Sequence, residues 1–415
     1  MSNNSISCLF PFRRIKLVDT GHVSISNNDF AVLVTTAPDL RFNPRCHECG
    51  TEAEGIHSWH SRVLNDLSIG SNPIKLNYRY RKIHCPNCNE IKVEDLGVTD
   101  AGGPRITNRM ARYIYDLCSK MTVNEVAEHL NLDPKTVKNI EKKFLEKEFG
   151  KTDYSHSGYL AVDEISIGKH HQYMTVVLDF TTGRVIWMGK DRKAKTLNKF
   201  FSQMPADKRE NIKAVAMDMW DPYIKSVKNW CPQAAIVFDK YHIISDFNDV
   251  IDQVRRIEQK KESLTDQQKD VIKGSRWLLL KNSENLSKEQ KTNLNELLKL
   301  NINLFKVYLL KDELKQIWKQ KTKEDMEKQL NNWCEKALKT GLKPLIKFVN
   351  RLQKHKYGIL EYANHRIHTS KLEGINNKIK EIQRSAYGFH DKRYFELKVK
   401  KAFPGNLKLS TNGFG

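Results

Sequence analysis

Tyr159-Leu-Ala-Val-Asp163-Glu-Ile-Ser-Ile167 is an apolar run with a carboxylate at its centre, and its reading decides the fold. Its composition predicts a buried strand. An unpartnered carboxylate in such a strand costs several kcal/mol, so Asp163 calls for a partner or a cation. A second run of the same kind, Ile212-Lys-Ala-Val-Ala-Met-Asp218, closes on another aspartate. Satisfaction of each Asp by local backbone groups is the plainer alternative.

Working outward, three strand-like runs are predicted, 159–167, 173–180 and 184–188, with Thr181-Thr-Gly183 as the tight turn between the last two. Two helix–strand units follow, 195–204 then 212–218, and 220–230 then 234–239. A meander followed by helix–strand alternation is the order of an RNase H-like α/β layer. There the first strand is central and the strand carrying the second Asp lies beside it. Asp163 then projects mid-strand and Asp218 from a neighbouring strand end, close enough to share cations. Glu164 is expected on the opposite face by strand alternation.

Far downstream, Thr369-Ser-Lys-Leu-Glu373-Gly-Ile-Asn-Asn-Lys378-Ile-Lys380 has a helical pattern. Two carboxylates from strands and Glu373 from a helix are a donor set for paired Mg²⁺ (or Mn²⁺) in phosphodiester chemistry, with the three acids as catalytic and metal-binding residues. Lys380 lies two helical turns beyond Glu373 on the same face, placed to hold a DNA phosphate; Asn376 offers amide donors for the same purpose. Asp239 and His242, in Phe238-Asp239-Lys-Tyr-His242, either position groups at the site or cap the next helix.

The charge balance agrees. The 415 residues carry 70 Lys+Arg against 49 Asp+Glu, a net +21 spread through every segment, which points to a polyanion, most commonly nucleic acid; with the motifs below, double-stranded DNA is the expected partner. No stretch reaches the ~18 apolar residues of a membrane span, and the N-terminus lacks the order of a signal peptide, so a cytoplasmic, membrane-free protein is expected.

Eight cysteines in such a protein do not suggest a disulfide scaffold. Cys8, Cys118, Cys231 and Cys334 are scattered and read as buried apolar residues. Cys46-His-Glu-Cys49 and Cys85-Pro-Asn-Cys88 are two C-x2-C knuckles, and together they complete a tetrahedral Zn²⁺ site if the intervening residues form a hairpin. A redox pair is disfavoured by the duplication and by the placement at strand turns. His47, His57, His60 and His84 read as surface or hairpin residues. Alternation over residues 10–40 and in Ile74–Ile83 predicts further strands around this module.

Between Thr107 and Phe149 the period becomes helical. Thr122-Val-Asn-Glu125 fits a capping box, and Asp133-Pro134 opens a second helix. That helix carries Lys135, Lys138, Asn139 and Lys142 on one face. Two helices with a short turn suit a helix-turn-helix, and these four side chains are the candidate DNA contacts. From 247 to 361 the chain reads as almost purely helical, with Trp277, Trp318 and Trp333 expected mostly in its core. The expected organisation is a β-rich zinc module (1–100), a helix-turn-helix (104–150), a catalytic core in two parts (155–246 and 362–405) and an all-helical insertion (247–361).

These motifs together resemble bacterial insertion-sequence DDE transposases of the ISL-three family. The resemblance rests on Cys46-x-x-Cys49, His57-Ser-Trp-His-Ser-Arg62, Arg81-Lys-Ile-His-Cys85-Pro-x-Cys88, Ala161-Val-Asp163-Glu, Ala216-Met-Asp218-Met-Trp-Asp-Pro-Tyr223, Val237-Phe-Asp239-Lys-Tyr-His242, Lys371-Leu-Glu373-Gly-Ile-Asn-Asn-Lys378-Ile-Lys380 and Ala386-Tyr-Gly-Phe389. It implies Asp163, Asp218 and Glu373 as the catalytic triad, recognition of terminal inverted repeats, cut-and-paste movement and a homodimer on paired ends. A DNA-binding regulator derived from a transposase is the alternative.

Overall fold

The computed structural model describes residues 10, 12–24, 30–100, 102–168, 172–386 and 389–406; for Gly168, Gln172, Ser283, Leu300, Ser370, Lys371 and Glu373 it describes the backbone alone. Cys8, Tyr387, Gly388 and the tail beyond 406 lie outside these residues. The chain divides into two compact units, Met1–Glu148 and Phe149–Gly415. No described helix is long and apolar enough to cross a membrane.

The first unit opens with strands β1 (Ile15–Ser24), β2 (Phe30–Pro38), β3 (Ile56–Ile69), β4 (Asn72–Cys85) and β5 (Glu90–Val93). β3 and β4 form the hairpin that the cysteine spacing requires, turning at Gly70, whose φ of +60° favours glycine. Helices α1 (Asn108–Leu117), α2 (Val123–His129) and α3 (Pro134–Phe149) follow. The sheet and helices are tied within this unit by Asp66, which accepts from Thr107 Oγ1 (2.6 Å) and Arg109 Nε (2.8 Å) at the start of α1.

The capping box at α2 is present in full, Thr122 and Glu125 each bonding the other's backbone N–H. Asp133 Oδ2 accepts from Thr136 N (3.0 Å) at α3, and Asn131 (φ +49°) makes the turn between the helices. Val126, Ala127, Val137 and Ile140 are buried with Leu130 and Leu132 packed against them, so the two helices meet on the apolar face read from the sequence.

The second unit is built on a five-stranded sheet in the order β10-β9-β6-β7-β8. Its strands are β6 (Tyr159–Gly168), β7 (Gln172–Asp179), β8 (Arg184–Lys190), β9 (Ala214–Met217) and β10 (Ala235–Phe238). The first three form an antiparallel meander, while β9 and β10 run parallel to β6. This is the RNase H-like order, with the first strand central. Helices α4 (Ala194–Gln203), α5 (Ala206–Glu210) and α6 (Asp221–Trp230) make the crossovers.

The helical segment runs through α7 (Lys240–Gln259), α8 (Asp266–Gly274), α9 (Arg276–Leu280), α10 (Lys288–Leu300), α11 (Ile302–Gln316), α12 (Lys323–Leu338), α13 (Lys343–Lys354), α14 (Lys356–Leu360) and α15 (Tyr362–His365). The chain then returns to the sheet as α16 (Ser370–Ser385) and α17 (Lys392–Ala402). α7 is continuous across position 247, so the boundary drawn there from sequence falls inside a helix. One apolar cluster extends from Val162, Val215 and Phe238 of the sheet through Phe247 to Trp318 and Trp333. Trp318 and Trp333 are core residues, as expected, but Trp277 is 69% exposed. The insertion therefore shares its core with the sheet. At their junction a Cβ on Gly358 would lie 2.5 Å from the Phe238 ring, so only glycine permits this approach of α14 to β10.

Candidate metal centre and nucleic-acid interface

Alternation along β6 and β9 sorts side chains onto two faces. Leu160, Val162, Val215 and Met217 enter one apolar cluster, whereas Ala161, Ile165, Ala214 and Ala216 enter the other. Asp163 and Asp218 keep step with the second set. The parallel pairs are Ala161↔Ala216 and Val237↔Ala216, and Asp239 N extends the ladder by donating to Met217 O (3.0 Å). Continued by two residues, this register would set Asp163, Asp218 and Asp239 side by side, on strands that stand about 4.8 Å apart when paired. Asp218 and Asp239 directly follow the carboxyl ends of β9 and β10, and Asp163 lies in the middle of β6.

α16 covers that face through Leu372, Ile375 and Ile379. Two hydrogen bonds fix its course. Thr369, which caps its start, donates to Asp239 Oδ2, and Asn376 Nδ2 donates to Asp163 Oδ2 (2.8 Å). The helix thus begins over β10 and reaches β6 two turns later. Position 373 lies between the two anchors in the helix, and the intervening strand, β9, ends at Met217, just before Asp218. Gln383 Nε2, donating to Ile167 O, holds the helix along β6 further on. The Glu373 side chain lies outside the described residues.

Asp163 is 8% exposed. Burial pushes its carboxyl up to about 6, against the pull of His242, the Glu164 backbone N–H and the Asn376 amide. His242 Nε2 stands 3.7 Å from Asp163 Oδ1, too far for a hydrogen bond. This carboxylate is stabilised as an anion by less than its burial demands, and the missing stabilisation is what a cation supplies. The donor set therefore fits a hard divalent ion: carboxylate oxygens from rigid strands, facing a helix with a third acid.

The structure revises several details. Asn376 turns its amide donor inward to Asp163, not outward to a phosphate. Asp239 occupies the N-cap position of α7 but makes no side-chain cap bond there; it is the acceptor for Thr369. Glu164 points to the other face, where it pairs with Arg192 (Nη1–Oε1 3.1 Å). Arg192 was not singled out from the sequence. Its guanidinium lies 4.5 Å from the Tyr173 ring centre and 4.9 Å from that of Trp220, and Trp220 Nε1 donates to its carbonyl (3.0 Å). The only signal for it was a basic pair, Arg192-Lys193, just after a strand. Lys380 is exposed on α16.

In the first unit the four knuckle sulfurs lie within 4.8 Å of one another, with Cys49 and Cys85 3.4 Å apart and Cys46 and Cys88 3.9 Å apart. Four thiolates around one Zn²⁺ at 2.3 Å stand about 3.8 Å from each other. Each knuckle closes identically: Gly50 N donates to Cys46 O and Asn89 N to Cys85 O, both 2.9 Å, with φ of +75° and +54°. Glycine and asparagine tolerate that left-handed backbone. The four residues support structural zinc, and none of the nearby histidines joins them among the described residues. Buried Arg81 and Glu94 (Nε–Oε2 2.7 Å) brace the strands beside the site. Cys118, Cys231 and Cys334 are buried, as their scattered placement suggested.

On α3, Lys135, Lys138, Asn139 and Lys142 occupy one stripe, opposite buried Val137 and Ile140.

A zinc-knuckle module, a helix-turn-helix and an RNase H-like sheet with aligned acids define a DNA transposase of the DDE class. Residues 160–399 match a DDE family described as transposase, 103–145 the helix-turn-helix domain of transposase family ISL3, and 43–88 the zinc-finger of transposase IS204/IS1001/IS1096/IS1165. The chain is 37% identical over 365 residues to the transposase for insertion sequence element IS1001 of Bordetella parapertussis, spanning 88% of this chain and 89% of that one. It is 25% identical over 387 residues to the transposase for insertion sequence element IS1557 of Mycobacterium tuberculosis, spanning 86% and 85%. The chain belongs to transposase family ISL3.

Proposed function

We propose that this transposase cuts and joins DNA at a site made by Asp163, Asp218 and Glu373, and that it acts on the terminal inverted repeats of its own insertion sequence by cut-and-paste. The observation that carries the reading is the pair of anchors, Thr369 to Asp239 and Asn376 to Asp163, which runs the Glu373 helix across a row of carboxylates. The three acids would hold Mg²⁺ (or Mn²⁺), which when bound stabilises the attacking and leaving oxygens of an in-line phosphoryl transfer.

The chain's own groups do the rest. Asn376 orients the Asp163 carboxylate, and Asp239 fixes the start of the Glu373 helix through Thr369. His242 faces the outer oxygen of Asp163, where a proton can be held near the reacting phosphate. Lys380 neutralises a phosphate beside the site. In the first unit Lys135, Lys138, Asn139 and Lys142 meet the major groove of the element's end, while zinc holds the module's shape. Strand transfer joins two ends to one target, so a homodimer on paired ends is the working form.

The test uses a supercoiled donor plasmid bearing the element's ends. Mg²⁺-dependent 3′-end cleavage that vanishes in Asp163→Asn is expected. Sequence-specific end binding by the wild-type protein without any cleavage would instead identify a regulator.

A further inference from the structure

Beside the β8 edge of the sheet lies a cleft of about 870 Å³ lined by Lys151, Lys190, Lys193, Lys195 and Lys199. All five are exposed, and among the described residues no carboxylate pairs with any of them. Elsewhere in the second unit some lysines do have carboxylate partners, as in Lys323–Glu361, Lys336–Glu313 and Lys356–Glu327. The acids lining the cleft do not balance it. Glu396 is taken by Arg393 and Lys400, leaving Asp191. Lys195 and Lys199 stand four residues apart on α4, an arrangement of like charges that costs helix stability unless an anion lies across them.

A second cleft continues from it toward the end of β9. Lys193 also lines a second, largely apolar cleft of about 510 Å³ with Arg192, Trp220 and Lys225. Trp220 follows Asp218 by two residues, and Arg192 binds Glu164, the neighbour of Asp163. A run of cations thus passes from the outer strand to Arg192, on the face of β6 opposite Asp163, and to Trp220, two residues beyond Asp218. Its lysines are point charges on flexible stems, suited to phosphates and carrying no base readout.

We propose that this lysine cleft is the seat of the target duplex, held by its phosphates in a sequence-independent way near the strand end that carries Asp218. The element's ends have a fixed sequence that the helix-turn-helix can read; a target differs at every insertion and must be held without base contacts. The proposal rests on the catalytic reading given above.

The test is Lys195→Gln/Lys199→Gln in the full-length protein, with Lys288→Gln/Lys291→Gln on the insertion as the matched charge control. Joining of pre-cleaved ends to a sub-saturating target plasmid should fall about tenfold more than cleavage of a flanked donor falls. The salt slope for binding a random-sequence duplex should shrink by about two, one per lost phosphate contact. The control should change neither. Unchanged joining in a variant that melts like wild type overturns the proposal. So does loss of flanked-donor cleavage with joining intact, which would place flanking DNA in the cleft. If the wild type neither cleaves nor joins, the catalytic reading fails by itself, and the salt slope still decides whether the cleft takes DNA.

Discussion

The two candidate metal sites of this chain are built on opposite plans. The zinc site takes all four ligands from two four-residue turns, and each turn is closed by its own backbone bond, Gly50 to Cys46 and Asn89 to Cys85. The acidic site draws on two strands and a helix, with 154 residues between Asp218 and Glu373. Its geometry comes from sheet register and from two side-chain hydrogen bonds at the ends of one helix stretch. A locally closed site fails when its ion is removed. A remotely assembled one fails when its scaffold shifts, and it must tolerate buried charge until the ion arrives.

The largest expected effect breaks the local site. Cys85→Ser, or a strong chelator, should strip zinc from the first unit and unfold the knuckles, because structural zinc contributes on the order of 10 kcal/mol to folding in small domains. Metal analysis with circular dichroism should show loss of zinc and of β signal, and end-specific DNA binding should be lost with them. Retention of the β signal in the zinc-free protein would contradict a metal-dependent module.

Asp163→Asn separates function from stability at the remote site. DNA cleavage should drop on the order of a thousandfold or more, since several kcal/mol of barrier lowering would depend on the ion held there. The metal-free protein should become more stable. With its carboxyl raised from 3.8 to about 6 in the fold, Asp163 favours folding most when protonated; that contribution is full below pH 3.8 and is lost as pH rises through 6. The difference corresponds to about 3 kcal/mol near neutrality. Thermal melts without metal should therefore show Asp163→Asn above wild type at pH 7, with the gap closing by pH 4 and narrowing when Mg²⁺ is added to the wild type at pH 7. An equal or lower melting point for the variant at pH 7 would mean that the neighbours already balance the charge.

The same contrast explains what could be read before folding. The knuckles were legible because ligands and spacing sit together in the sequence, and the helix-turn-helix because its caps, Thr122 and Asp133, are local rules. Asp163 and Asp218 stood out as acids in apolar runs. Arg192 was missed because stacking between Tyr173 and Trp220 joins residues 47 apart, which no periodicity reports. Asn376 was assigned to phosphate because helical spacing gives the stripe but not its direction; the inward turn follows from the Leu372, Ile375 and Ile379 face meeting the sheet. The boundary expected at 247 falls inside α7 for a related reason. An insertion that shares its core with the host sheet leaves no composition change at the junction.

The smaller effects test that shared scaffold. Asn376→Ala should slow cleavage by about ten- to a hundredfold, the consequence of losing one hydrogen bond to a buried charge, worth ~1.5–3 kcal/mol. It should also raise the Mg²⁺ concentration needed for half-maximal rate while leaving DNA-end binding intact, and an unchanged Mg²⁺ requirement would remove Asn376 from the site. Gly358→Ala probes further out, where a new methyl meets Phe238 at 2.5 Å and the Ile236 carbonyl at 3.0 Å. Overpacking of this kind costs roughly 1–3 kcal/mol. Because Phe238 precedes Asp239, and Asp239 holds the start of the Glu373 helix, the push on β10 should reach the acids as well as the core. The expected result is a lower melting point for the second unit together with a few-fold loss of cleavage that extra Mg²⁺ partly restores. A lowered melting point with cleavage unchanged would show the insertion packing against the core without setting the position of the carboxylate row.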